Sequence, residues 1–152
     1  MIAKRALEIP EKLGSDYPSP FDEPCRARSD RSLGDAFGLR DFGVRLLTLA
    51  PGVWSSQRHW HSHGDELVYV LEGTPTLVTN EGESLLEPGD VAGFPAGSGN
   101  GHHVVNMAAT SARLLVVGSR KAEDDGFYSD IDMQILKHAQ GGTYTTKKGD
   151  PY

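Results

Sequence analysis

The chain has 152 residues, a formal net charge of −6 and a single cysteine, Cys25. That length suits one domain with one core, and a lone cysteine excludes an internal disulfide framework. The acidic balance argues against a nucleic-acid partner, which needs a basic surface, and leaves small molecules open.

Taken in order, residues 1–32 read as an extended arm. Pro10, Pro18, Pro20 and Pro24 interrupt any regular element, and Tyr17-Pro18-Ser19-Pro20-Phe21 carries two aromatics. The arm is expected to lay Tyr17 and Phe21 on the barrel or on a partner subunit. No apolar leader opens the chain and no run reaches membrane-spanning length, so a soluble, cytoplasmic protein without a membrane partner is expected.

The barrel is placed at 33–136. Phe42 to Ala50 is the first clear strand, with Arg45, Leu47 and Leu49 on one face and Val44, Leu46 and Thr48 on the other. Pro51-Gly52 ends it. Next comes a strand carrying His59 and His61, whose two-residue spacing puts both imidazoles on one face. Ser62-His63-Gly64-Asp65 has turn composition, so the chain can reverse and bring Glu66 back beside them. Leu67 to Leu71 is apolar on both faces, and a second layer is expected to cover its outer side. Asn80-Glu81-Gly82 marks a hairpin, Val91 to Phe94 is a short strand and Ala96 to Gly101 is a flexible loop. His102 to Asn106 and Ala112 to Gly118 are strands, and Ile131 to Leu136 is a candidate last one. Lys121 to Gly126 reads as a charged loop, and 137–152 as a polar, exposed tail. Eighteen glycines, nine prolines and eight or nine short strands without an amphipathic helix predict an all-β jelly-roll barrel.

Two imidazoles and a carboxylate at one turn are part of a metal site. If His102 faces inward, it completes three imidazoles and one carboxylate, and Asn106 faces inward with it. At this point the chain resembles the cupin superfamily, whose two motifs lie on a double-stranded β-helix. Gly52, His59, His61, Glu66 and Gly73 match the first; Gly89, Pro95, Gly97, His102 and Asn106 match the second. The match runs over roughly 42–118, with one extra residue before His59 and two between Gly97 and His102, all in loops. The arm and both histidine stretches resemble a branch of small bacterial single-domain cupins, some loosely described as sugar-phosphate-isomerase-like.

The resemblance implies that His59, His61, Glu66 and His102 hold one divalent transition metal: zinc, iron, manganese or nickel. Asn106, Gln57, Arg45 and His63 are candidates to support the ligands or to contact substrate. His103 is expected to face away and pack. No general base can be named, because each suitable group of the motif is already a ligand. The expected function is a metal-dependent isomerase or lyase acting on a sugar, sugar phosphate or hydroxy acid. Alternatives are a non-catalytic binding or sensing module, a metal-dependent dioxygenase and a metal-free structural barrel. A homodimer is expected, as in most small cupins.

Overall fold

The computed structural model describes residues 2–152. Thirteen strands make two facing walls. The first wall is a six-stranded antiparallel sheet in the order β1 (Lys12–Leu13), β2 (Ser29–Ser32), β3 (Phe42–Leu49), β10 (Ala112–Ser119), β5 (Glu66–Glu72) and β8 (Val91–Phe94). The second combines β13 (Gly141–Thr145), β12 (Gln134–His138), β11 (Gly126–Tyr128) and β4 (His59–His61) with a smaller sheet of β7 (Gly82–Leu85), β6 (Thr76–Thr79) and β9 (His103–Val105). A single bridge at His59–His102 joins these two pieces, and another at Trp54–Val105 ties the segment after β3 to β9. The result is the all-β double-stranded β-helix expected from the sequence. Among the described residues, three short 3₁₀ turns are the only helical pieces, and no helix is long and apolar enough to cross a membrane.

Alternation along the central strands builds the core. Leu47 and Leu49 of β3, Val68 and Val70 of β5, and Leu114 and Val116 of β10 all point between the walls and are buried. Val53, Leu86 and Val104 close the cluster. Each fully buried aliphatic side chain contributes about 1.5–3 kcal/mol, so this layer holds the walls together. It fills one end of the barrel. The other end stays open, because Glu66, Gly118 and Gly43 stand side by side across β5, β10 and β3. The two glycines send no side chain into the space beside Glu66.

Gly73, the closing glycine of the first motif, has φ +81°. A Cβ there would lie 2.7 Å from Ala112 Cα and 2.8 Å from the Ser111 carbonyl, so β5 can pass β10 only with glycine.

The arm departs from the sequence reading. Residues expected to be irregular contribute β1 and β2, which extend the first wall at its β3 edge. Ser29-Asp30-Arg31-Ser32 has no apolar alternation and becomes a strand by pairing with β3. Tyr17 and Phe21 do pack on their own chain. Tyr17 meets Tyr128 and Tyr144 edge-on at 5.5 and 5.8 Å between ring centroids, and Phe21 meets Tyr152 at 5.5 Å. Arg28, itself buried, donates to the Ser55 and Gly14 carbonyls, and Trp54 N donates to the Pro24 carbonyl.

Because the arm joins edge to edge, it does not layer over β5. Leu67, Tyr69 and Leu71 remain 40, 39 and 40% exposed on the outer face. The stretch 137–152, read as an exposed tail, instead completes β12 and forms β13, and Thr145 is buried.

Candidate metal centre

β4 carries His59 and His61 on the face that looks into the barrel. Their cross-strand partners on β11 are Tyr128 and Gly126. On the other side His59 N donates to the His102 carbonyl at 3.1 Å, and His102 N donates to the His59 carbonyl at 2.8 Å. The second motif is thus stitched to the first by backbone. Glu66 opens β5 in the opposite wall. The turn at 62–65 therefore carries the chain across the barrel, and does not fold it back onto a neighbouring strand as expected. Glu66 faces the histidines over the cavity.

The ligand atoms of His59, His61 and Glu66 all lie within 4.8 Å of one another. His59 Nε2 is 3.2 Å from His61 Nε2, and His61 Nε2 is 3.7 Å from Glu66 Oε2. His102 lies outside that set and joins it through Glu66, with Nε2 3.0 Å from Oε1. Its ring stacks flat on Phe94 at 3.6 Å, and its buried Nδ1 has no partner among the described residues. His59 Nδ1 lies 2.9 Å from the Gln57 carbonyl, which can only accept. The proton is therefore on Nδ1, and Nε2 faces the cavity with its lone pair.

Burial pushes the His59 imidazole down to about 4, and the Glu66 charge only partly opposes it. Burial pushes Glu66 upward, but hydrogen bonds from His102 and His61 outweigh it and hold the carboxyl well below its usual range. Burial lowers His61 too; Glu66 and Asp124 overcome that and raise it. A neutral imidazole beside a carboxylate kept anionic is the donor chemistry of a divalent transition metal. The residues fit the ion that the motif implies.

The site lines a cavity of about 150 Å³ together with Tyr17, Arg28 and Arg45. It adjoins a wider depression whose lining includes Arg45, Arg120, Lys121, Lys137, Tyr128 and Tyr144.

The other candidates divide. Arg45 reaches the cavity, where its guanidinium donates to Asp30. Gln57 is buried and donates to the Phe21 carbonyl at 2.7 Å, so it anchors the arm. His63 is exposed and its ring meets Ser62 Oγ at 2.8 Å. Asn106 is wholly buried, and its amide is spent on loop backbone: Nδ2 donates to the Leu49 and Thr110 carbonyls, and Oδ1 accepts from Ala108 N. His103 packs on Trp54 and contacts the Ser56 carbonyl.

A cupin domain matches residues 45–118. A protein from Silicibacter pomeroyi DSS-3, described as a sugar phosphate isomerase from a cupin superfamily, is 45% identical. Its structure superposes with a TM-score of 0.92 over 95% of this chain and 92% of that one. This chain belongs to the cupin superfamily. A second cupin-like relative, from Acidithiobacillus ferrooxidans ATCC 23270 and provisionally described as a sugar phosphate isomerase, is 30% identical (TM-score 0.75, covering 82% of this chain and 80% of that one). The polyketide cyclase RemF from Streptomyces resistomycificus shares the fold at 21% identity, with a TM-score of 0.64 and 80% of each chain covered. No curated protein matches.

This cupin adds to its site three groups that sequence reasoning passed over. Tyr128 lies 5.8 Å from His59 between ring centroids, Tyr144 stands behind it, and Asp124 touches His61. All three fall outside residues 45–118. Asp124 sits in a run of five charged or small residues, Lys121 to Asp125, where nothing local marks one carboxylate from the next.

Proposed function

We propose that this cupin is a metal-dependent enzyme of isomerase or lyase type, with His59, His61, Glu66 and His102 holding one zinc, iron, manganese or nickel ion. The observation that carries the reading is the convergence of His59, His61 and Glu66 at a cavity that also reaches Arg45. A divalent ion held there supplies Lewis-acid polarisation of a carbonyl or hydroxyl oxygen.

The chain's own residues supply the rest. Tyr17 lines the cavity and Tyr128 the adjoining depression, and burial raises both phenols far above neutral pH, so neither ionises there. Arg45, Arg120, Lys121 and Lys137 put positive charge in the cavity and at its mouth, in a chain whose net charge is −6. Glu123 and Asp124 line the same depression and Arg45 and Arg120 pair with Asp30 and Asp35, so the local excess of basic side chains is small; it suits an anionic metabolite such as a sugar phosphate or hydroxy acid. The description of the Silicibacter relative is consistent with that substrate class.

The test begins with elemental analysis of tag-free protein, where about one ion per chain is expected. His61→Ala should lower that content at least tenfold. Turnover of sugar phosphates and hydroxy acids by the loaded protein is the second step. No bound ion after incubation with each metal overturns the reading. An ion without turnover moves it to the binding or sensing alternative, which the lack of an uncommitted carboxylate at the cavity favours.

We also propose a homodimer through the outer face of β5, supported by the exposed Leu67, Tyr69 and Leu71. Sedimentation should give twice the chain mass for the wild type and the chain mass for Tyr69→Asp. A wild-type monomer refutes it.

A further inference from the structure

Asp124 is only 7% exposed, although it lies in a charged loop. Its two oxygens have separate partners. Oδ1 accepts from His63 N at 2.9 Å and from Gly64 N at 2.8 Å. Oδ2 lies 2.7 Å from His61 Nδ1. The same loop is tied to the same turn twice more: Ser62 N donates to the Asp125 carbonyl at 2.9 Å, and Asp125 N donates to Ser62 Oγ at 2.8 Å. The turn is shaped to admit the carboxylate. A Cβ on Gly64 would lie 2.6 Å from Oδ2 and 3.0 Å from Cγ.

The two backbone N–H groups hold the carboxyl group in place, and that placement directs Oδ2 at one ring nitrogen. An ionised carboxylate has no proton to give, so the hydrogen in the 2.7 Å contact belongs to Nδ1. A neutral His61 is then left with its lone pair on Nε2, the atom that faces His59 and Glu66. His59 reaches the same state through the Gln57 carbonyl. The two histidines are thus set by different means, one by local backbone and one by a side chain 63 residues away.

We infer that Asp124 is a positioning residue that sets the tautomer and orientation of His61, presenting Nε2 to a divalent ion. The inference rests on the metal reading above for its purpose, and on the hydrogen bond alone for its geometry.

Asp124→Asn separates this role from a purely structural one. The asparagine keeps an oxygen for His63 N and Gly64 N, so the turn persists. Its amide then faces Nδ1 with a donor, which makes Nδ1 the acceptor and moves the ring proton to Nε2. Two measurements read the change. Nitrogen-15 spectra of histidine-labelled, metal-free protein, taken on the alkaline side of the His61 titration, report the tautomer. Calorimetric titration with Zn²⁺ reports affinity.

The wild type should show Nδ1–H at His61. Asp124→Asn should show Nε2–H, with Zn²⁺ bound about 10–100-fold more weakly and the melting temperature close to wild type. An Nε2–H tautomer in the wild type overturns the inference, as does a variant with unchanged tautomer and affinity. If the wild type shows Nδ1–H yet binds no Zn²⁺, the metal reading fails while the positioning by Asp124 stands. If Asp124→Asn fails to fold, the wild-type tautomer still decides the matter.

Discussion

Asn106→Ala offers a sharp test of how the second motif works. The sequence puts Asn106 on the same strand face as His102, which made it a candidate to support the ligands. In the structure its amide makes three bonds to backbone, at 2.7, 2.8 and 3.1 Å, and none to a ligand. These bonds close the loop between β9 and β10 against the end of β3.

Truncation leaves the Leu49 carbonyl, the Thr110 carbonyl and Ala108 N short of a partner. The Leu49 carbonyl bond is fully buried; the other two lie nearer the surface, where water can replace part of the loss. At about 1–3 kcal/mol for a buried unsatisfied group, and less for the outer two, the expected loss is about 3–5 kcal/mol. That is a large share of the total stability of an ordinary domain. It corresponds to a fall in melting temperature of about 10 °C.

The assay is urea unfolding of metal-free protein by tryptophan fluorescence, with Zn²⁺ affinity measured in parallel. Stability should fall with an unchanged m-value, while affinity measured under folding conditions stays within about threefold. A loss below about 1 kcal/mol combined with a tenfold drop in affinity would refute this reasoning and restore Asn106 as a support for the ligands.

Four further outcomes follow from the same structure. Burial pushes the Cys25 thiol up to about 11, above its value in an unfolded chain; between about pH 9 and 11 the unfolded chain therefore binds fewer protons than the folded one, and stability should fall as pH rises, a slope that Cys25→Ala reduces and that the buried phenols of Tyr17 and Tyr128 maintain in part. The same thiol should resist a colorimetric disulfide reagent in native buffer and react fully in urea. His59 is perturbed the other way: with its folded value near 4 and the unfolded one near 6.5, metal-free protein should lose the His59 contribution to stability as pH falls through that window, and His59→Gln should flatten the slope there. Gly73→Ala combines a left-handed backbone with two backbone contacts under 3 Å, so it should cost at least about 2 kcal/mol in urea unfolding.

The reading from sequence reached the barrel and the convergence of His59, His61 and Glu66 for a simple reason. His59-Trp60-His61 on a strand has only one parity, and Leu67 to Leu71 needs a core on one side, so local rules suffice there. They fail where pairing is decided by a distant neighbour. Ser29 to Ser32 is a strand because β3 has a free edge, and Gly126-Phe127-Tyr128 is one because β4 does. Asn106 is buried, but so are His103 and Val105 of the opposite parity, and parity said nothing about which polar groups waited there. Gln57 was chosen for its position beside the histidines, yet its partner is a carbonyl in the arm. Asp124 needed two facts at once: that a loop beyond the barrel returns to the 62–64 turn, and that Gly64 leaves room for it.

Tyr17 from the arm meets Tyr128 and Tyr144 from the far end of the chain, and Phe21 meets Tyr152. This closure has a consequence for biosynthesis. During translation His59, His61 and Glu66 emerge well before Asp124, Tyr128 and Tyr144, so the growing polypeptide displays the cluster as an open half-site. Its roof arrives last: the arm can pair with β3 before then, but Tyr17 and Phe21 find their aromatic partners only once that roof exists. Assembly of the finished cavity is a late event, gated by contacts between segments that are among the farthest apart in the chain.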